Sequence, residues 1–199
     1  MFRCTSLALV LSIAGVTNAV AQTYPVKPVR ILVGYAAGGS VDLVGRVFGQ
    51  KLSEYLGQQF VVDNRPGAAS NVAGDVVAKA SPDGYTLLVA SSGALGTNQA
   101  IYTKMPYDPL KDLTPIGMLV HQCNVLIVNP SVPAKNVKEL IALIKAKPGQ
   151  LNYGSGGNGS SQHMSMELFQ SMTGLKMVHV PYKGGAPAVT DLIGGQIDL

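Results

Sequence analysis

Val29-Arg30-Ile31-Leu32-Val33-Gly34-Tyr35-Ala36-Ala37-Gly38-Gly39-Ser40 is the stretch that decides the fold class of this chain. Its first five residues, mostly aliphatic and β-branched, read as a buried strand. A glycine-rich loop, Tyr35-Ala36-Ala37-Gly38-Gly39-Ser40, follows at once. Residues 41–56 then take up helical spacing. Val41, Val44, Phe48, Leu52 and Tyr55 share one stripe, and Asp42, Arg46, Lys51 and Glu54 share the other. Ser40 stands where a helix N-cap is expected. Strand, tight loop and helix make one α/β unit.

The pattern recurs downstream. Residues 59–63 read as a strand, Asn64-Arg65-Pro66-Gly67 as a turn, and residues 70–80 as a helix of small side chains. After the turn Ser81-Pro82-Asp83-Gly84, residues 85–90 form a third strand that ends in Ser91-Ser92-Gly93. This alternation implies a parallel sheet with right-handed crossovers. Ligands bind such sheets at the carboxyl ends of the strands, where Tyr35, Ser91 and Ser92 fall. Residues 97–112 read as irregular, and residues 115–120 and 124–128 as two apolar strands.

A second unit begins near Asn129. Asn136-Val137-Lys138-Glu139 resembles a capping box and opens a helix that buries Val137, Leu140, Ile141 and Ile144. Residues 151–154 read as a short strand. It leads into the second glycine loop, Tyr153-Gly154-Ser155-Gly156-Gly157-Asn158-Gly159-Ser160-Ser161. A helix over 161–173 closed by Gly174, a strand over 176–180 and a helix over 186–193 complete the series. The final Gly194-Gly195-Gln196-Ile197-Asp198-Leu199 reads as a turn and the opening of a strand, as in a truncated frame or fragment.

Residues 1–21 have the form of a secretory signal, with Arg3, an apolar run over 7–16, and Ala19-Val20-Ala21 before a cleavage point. The apolar run is shorter than the roughly 20 residues that span a bilayer. Cys4 falls in this segment and Cys123 is the remaining cysteine, so no internal disulfide is expected. Cys123 reads as a small buried hydrophobe rather than a nucleophile, despite His121 nearby. The formal charge is +4, with basic residues scattered and no basic stripe interleaved with aromatics. That argues against nucleic acid and suits a small anionic ligand.

Both glycine loops hand a strand over to a helix. Glycine permits close backbone approach, and a helix start offers unpaired N–H groups with partial positive charge. Each loop is thus a seat for a carboxylate or phosphate. Neither contains lysine, which excludes a Walker-type phosphate loop. Gly154-x-Gly156-x-x-Gly159 matches the dinucleotide fingerprint in form. The acidic residue wanted about 20 positions on is missing, since that neighbourhood is Met177-Val178-His179-Val180-Pro181. No cofactor is expected. Ser155, Ser160 and Ser161 add hydroxyl donors and favour an anion seat over both a nicotinamide site and an unliganded turn.

The chain lacks the G-x-S-x-G nucleophile elbow. His121, His163 and His179 show no metal-ligand spacing, so neither a metal nor a catalytic residue is expected. His163, in the first turn of its helix, either donates to a ligand or packs under the loop. Asp42 reads as a brace for loop and helix dipole rather than a general base. Tyr35 and Tyr182 flank the loops as cleft walls or as half-buried aromatics.

Several segments now combine. They are Gly38-Gly39-Ser40-Val41-Asp42, Asn64-Arg65-Pro66-Gly67-Ala68, Asp83-Gly84-Tyr85-Thr86-Leu87-Leu88, Tyr107-Asp108-Pro109, the run from Tyr153 to His163, and His179-Val180-Pro181-Tyr182-Lys183-Gly184. In this order they resemble the periplasmic solute receptors of the tripartite tricarboxylate transporter family. The resemblance implies an α/β, periplasmic-binding-protein-like Venus flytrap of type II with mainly parallel sheets, incomplete at the C-terminus. Lobe 1 would hold residues 22–121 and lobe 2 residues 122–199.

It further implies a periplasmic receptor, not an enzyme, that acts as a monomer. Such a receptor captures a small organic carboxylate (a di- or tricarboxylate, an amino acid or an aromatic acid) for a membrane permease. Gly38, Gly39 and Ser40 of the first loop and Gly157, Gly159 and Ser160 of the second would clasp the carboxylate through backbone amides. Tyr35 and Tyr182 would line the cleft, and Ser91 and Ser92 would supply a third loop. Ser155, His163 and Asp42 complete the candidate set. The chain departs from the family at Tyr35-Ala36-Ala37, where Phe-Pro-Ala is common, and at Ala68-Ala69-Ser70, where a glycine-rich run is usual. Two other readings stand beside this one. One is a secreted hydrolase that pairs His163 or His179 with Ser155 or Ser160; the other is a nonfunctional truncated receptor.

Overall fold

The computed structural model describes residues 24–199. The signal-segment reading of residues 1–21 lies outside the described residues. β1 (Val29–Val33) is the central strand of a parallel sheet ordered β2-β1-β3, with β2 (Phe60–Asn64) and β3 (Thr86–Val89) at its sides. Val29 stands opposite Phe60, and Arg30 opposite Thr86. Flanked on both edges, β1 is almost wholly buried, as its unbroken aliphatic run requires.

α1 (Ser40–Leu56) covers one face of this sheet. The expected apolar stripe is only partly right. The residues α1 buries are Asp42, Gly45 and Gly49, while Tyr55 is 84% exposed. Glycine makes the contact because the helix lies very close: a Cβ on Gly45 would come within 2.9 Å of Val33 Cγ2. Ser40 does not cap α1. Gly39 holds the N-cap position and no side chain bonds there.

A 3₁₀ turn, Ala68–Ser70, leads into α2 (Asn71–Ala78). Residues 97–101 are helical where the sequence reads as irregular, while 102–112 form no helix or strand, as read. A π turn at Gly93–Thr97 runs directly into α3 (Asn98–Ile101). The apolar stretches 115–120 and 124–128 do not form strands. They have no regular secondary structure and are mostly exposed, Ile116 and Val125 among them, with no ladder beside them among the described residues. Strand propensity is a preference for fitting a pleated, half-buried surface, and it is not realised without a neighbour. Cys123 lies between these two stretches and is exposed, not buried.

The second unit comprises α4 (Val137–Ala146), β4 (Asn152–Ser155), α5 (Ser161–Thr173), β5 (Val178–Pro181) and α6 (Gly185–Ile193). β4 and β5 pair in parallel. Asn136 caps α4 as read, with the Glu139 amide donating to Asn136 Oδ1 at 3.0 Å, but the Glu139 carboxylate accepts from Asn136 Nδ2 and from the Lys135 amide, both at 2.7 Å, rather than from the Asn136 amide. Val137 nevertheless faces out, while Leu140 and Ile144 join Leu151, Tyr153, Leu175 and Leu199 in the core. Residues 197–199 lie alongside β4. The Leu199 amide donates to Asn152 O at 3.2 Å, and the Gly154 amide donates to Leu199 O at 2.9 Å. No helix among the described residues is long and apolar enough to cross a membrane.

Candidate functional site

The two glycine loops follow the carboxyl ends of β1 and β4 and meet across one cavity of about 150 Å³. Gly34, Tyr35, Gly67, Ala68, Ala69 and Tyr102 form its wall on the first unit. Gly156, Gly157, Asn158, Pro181, Tyr182 and Lys183 form the opposite wall. The Ala36 amide closes one side by donating to Lys183 O at 2.8 Å. A larger hollow of about 470 Å³ runs over β1 and β2 between Pro28 and Asn64. It is a furrow on one unit, with neither glycine loop in its wall, and is the weaker candidate for a site.

Asp42 holds the first loop. It is 3% exposed, and its Oδ2 accepts from the Gly38 amide at 2.9 Å and from Arg46 Nε at 2.9 Å. Its Oδ1 accepts from Asn64 Nδ2 at 2.9 Å, and the same Nδ2 also donates to Tyr35 O. Burial alone would raise the carboxyl pKa. The bonds from Arg46, Gly38 and Asn64 outweigh it and hold Asp42 below the usual carboxylate range. A buried carboxylate thereby joins loop, helix start and β2.

The second loop has a neutral support. Ser155 Oγ accepts from the Gly157 amide at 3.1 Å and lies 2.6 Å from His179 Nε2. His179 is stacked on both sides, with Tyr153 at 4.9 Å and His163 at 4.1 Å between ring centroids. His163 Nδ1 in turn accepts from the Gly159 amide at 3.2 Å, and Ser160 Oγ caps α5 by accepting from the His163 amide. Tyr153 donates to Glu167 Oε1 at 2.6 Å. Burial, reinforced by His163, pushes the His179 pKa down to about 4 and keeps that imidazole neutral. Burial and then Glu167 push the Tyr153 phenol up.

A third element escaped sequence reading. Ala68, Ala69 and Ser70 all have φ in the left-handed region, at 45°, 47° and 78°. Each costs about 1–2 kcal/mol without a glycine, and such strain clusters at ligand sites. The run is held by the amide of Asn98, whose Nδ2 donates to Ala69 O at 3.1 Å and to Asn71 Oδ1 at 2.7 Å. Of this group only the departure at Ala68-Ala69-Ser70 was visible beforehand. Nothing local in the sequence marks Tyr102, Asn158 or Lys183 as wall residues.

Of the expected site residues, Tyr35, Gly157 and Tyr182 line the cavity. Their polar groups are largely engaged: Tyr35 Oη meets Ser91 Oγ at 2.7 Å, and Tyr182 donates to Asp191 Oδ2 at 2.7 Å. Burial and then Asp191 push the Tyr182 phenol up to about 12. Gly38 and Gly39 sit beside Gly185 and Ala186 at the start of α6. Ser40 is the first residue of α1, and its hydroxyl is met by Gln122 Nε2 at 3.4 Å. Ser92 precedes the π turn. Ser155, Ser160, His163 and Asp42 lie behind the loops and brace them. In this structure the amides of Gly38, Gly157 and Gly159 donate to Asp42 Oδ2, Ser155 Oγ and His163 Nδ1, bonds that hold each loop in its own conformation. Among the described residues no group of His, Cys, Asp or Glu is placed to hold a metal ion.

The family model for the tripartite tricarboxylate transporter family receptor matches residues 44–199. The protein BugT of Bordetella pertussis is 39% identical over 96% of this chain and 59% of its own length. Among solved structures, one described as a periplasmic transporter is 43% identical with a TM-score of 0.85, over 88% of this chain and 59% of its own. An R. palustris protein solved with adipate is 40% identical with a TM-score of 0.86, over 88% and 58%. MatC from Rhodopseudomonas palustris, solved with bound malate, is 32% identical with a TM-score of 0.83, over 88% and 60%. The chain spans about three-fifths of the length of the relatives it matches.

Proposed function

The chain belongs to the tripartite tricarboxylate transporter receptor family, and on that premise we propose that it captures a small organic carboxylate between its two units. In this reading it works in the periplasm as a monomeric receptor rather than an enzyme, and passes its ligand to the membrane components of a transporter. The observation that carries it is the cavity between the two loops. Its wall holds one formally charged side chain, Lys183, and no carboxylate. At about 150 Å³ it falls below the 300–1,000 Å³ of drug-sized ligand sites, which restricts the ligand to a small molecule. The adipate and malate seen in the solved relatives make short dicarboxylates the first ligands to try.

One observation favours a hydrolase instead, the 2.6 Å approach of Ser155 Oγ to His179. Ser155 is 1% exposed and its hydroxyl also serves Gly157, so a substrate carbonyl would have to displace the loop to reach it.

Thermal-shift titration with adipate, malate and citrate, with 1,4-diaminobutane as the cationic control, tests the proposal. Ligand at about 100 times its Kd should stabilise the fold by about 2.7 kcal/mol. A folded chain that responds to none of the acids sinks the receptor reading. Ester turnover abolished by Ser155→Ala would favour the hydrolase.

A further inference from the structure

Asn98 stands at the seam between the two units, against Gly159 of the second loop. It is fully buried, yet it belongs to a four-residue helix that lines no part of the cavity. Its Nδ2 is spent on Ala69 O and Asn71 Oδ1, the first of which lies in the strained wall of the cavity. Its Oδ1 is buried with no hydrogen-bond partner. That oxygen faces Gly159 of the second loop, where an added Cβ would lie 2.2 Å from it. Two neighbours press on the same loop: a Cβ on Gly93 would come within 2.9 Å of Gly159 O, and Tyr102 donates to Asn158 O at 3.3 Å.

A buried amide oxygen without a partner is costly, whereas the same atom facing water is solvated. Bringing Gly159 onto Asn98 therefore penalises the closed arrangement unless something else favours it. The same side chain holds Ala69 in its left-handed conformation, so the wall and the closing contact share one anchor.

We propose that Asn98 is a positioning residue that sets how far the two units close, acting through Gly159 on one side and Ala69 on the other. This rests on the receptor reading above, since it presumes a cleft that opens and closes. The proposal explains why residue 159 has no side chain beyond what its φ of 88° demands, and why a fully buried polar residue stands outside the cavity.

The experiment measures closure without needing a ligand. Ala36 and Gly184 are inter-unit neighbours: a Cβ on Gly184 falls 3.5 Å from Ala36 Cβ, within disulfide range, and the strain of a side chain at its φ of 143° is common to every variant compared. With Cys123→Ser as background, Ala36→Cys and Gly184→Cys should cross-link under mild oxidation, and adipate or malate should speed the reaction. Adding Gly159→Ala should slow cross-linking at least tenfold. Adding Asn98→Ala or Asn98→Ser to that variant should recover most of the rate, because the clash is removed while the backbone strain at position 159 stays. If neither Asn98 substitution restores the rate in a chain that remains folded by circular dichroism, the strain alone explains Gly159→Ala and the proposal is overturned. It is overturned as well if Gly159→Ala cross-links at the parental rate. Fast parental cross-linking that no acid accelerates would count against the receptor reading and leave the Asn98–Gly159 comparison readable.

Discussion

In the first glycine loop the Gly38 amide donates to the carboxylate of Asp42, which is itself fixed by Arg46 and Asn64. In the second loop the amides of Gly157 and Gly159 donate to a hydroxyl and an imidazole, Ser155 and His163. The two loops look alike in sequence and follow equivalent strands. One is braced by an ion pair and the other by a neutral stack of rings. A glycine-rich strand-to-helix loop therefore does not specify its own support; the residues behind it do, and they set how the loop responds to mutation and to pH.

The largest effect expected from this contrast lies just before the first loop. A Cβ at Gly34 would fall 1.8 Å from Ser70 Oγ and 2.5 Å from Ser70 Cα. The second contact is backbone and cannot swing away, so Gly34→Ala should cost about 3 kcal/mol or more in urea unfolding. The corresponding change at the start of the second loop, Gly154→Ala in β4, meets the flexible tip of Ile197 at 2.5 Å and should cost only about 1–2 kcal/mol. Equal losses would mean that the two strand ends are equally rigid.

Asp42→Ala comes next, at about 2–3 kcal/mol, because it leaves the Gly38 amide without its acceptor and removes the carboxylate that Arg46 and Asn64 share. Ser155→Ala removes a neutral acceptor from Gly157 and should cost about 1–2 kcal/mol by the same measurement. A Ser155 loss larger than the Asp42 loss would reverse the ranking of the two supports.

The smallest expected effect is in pH. His179 is held at about 4 against the ordinary 6.5, so the unfolded chain binds the extra proton first as pH falls. Stability should thus decline between pH 6.5 and 4, by about 1 kcal/mol on reaching pH 6. His179→Gln should flatten that limb of the profile. Asp42→Asn should leave it unchanged, since the folded Asp42 pKa lies below the ordinary value and its titration belongs to more acid solution.

Much of this arrangement was legible in the residues. The unbroken aliphatic run of β1, the helix cap at Asn136 and the left-handed cap at Gly174 all rest on interactions within a few positions of each other. The errors share a cause. Tyr55, Cys123 and the stretches 115–128 carry apolar side chains whose burial depends on a distant neighbour. Residues 97–101, read as irregular, are helical where Asn98 reaches back across 29 residues to Ala69. The cavity wall was half read: glycines and tyrosines announce themselves, whereas the left-handed Ala68 and Ala69 do not.

The sequence by itself determined the α/β alternation, the parallel sheets, the two glycine loops and the family, because periodicity, caps and loop motifs are local and survive in a linear string. Tertiary structure alone decided which loop amides are already hydrogen-bonded, which residues line the cavity and how Asn98 meets Gly159. Those depend on atoms far apart in the chain brought within about 3 Å, where one hydrogen bond or one methyl group reverses the outcome.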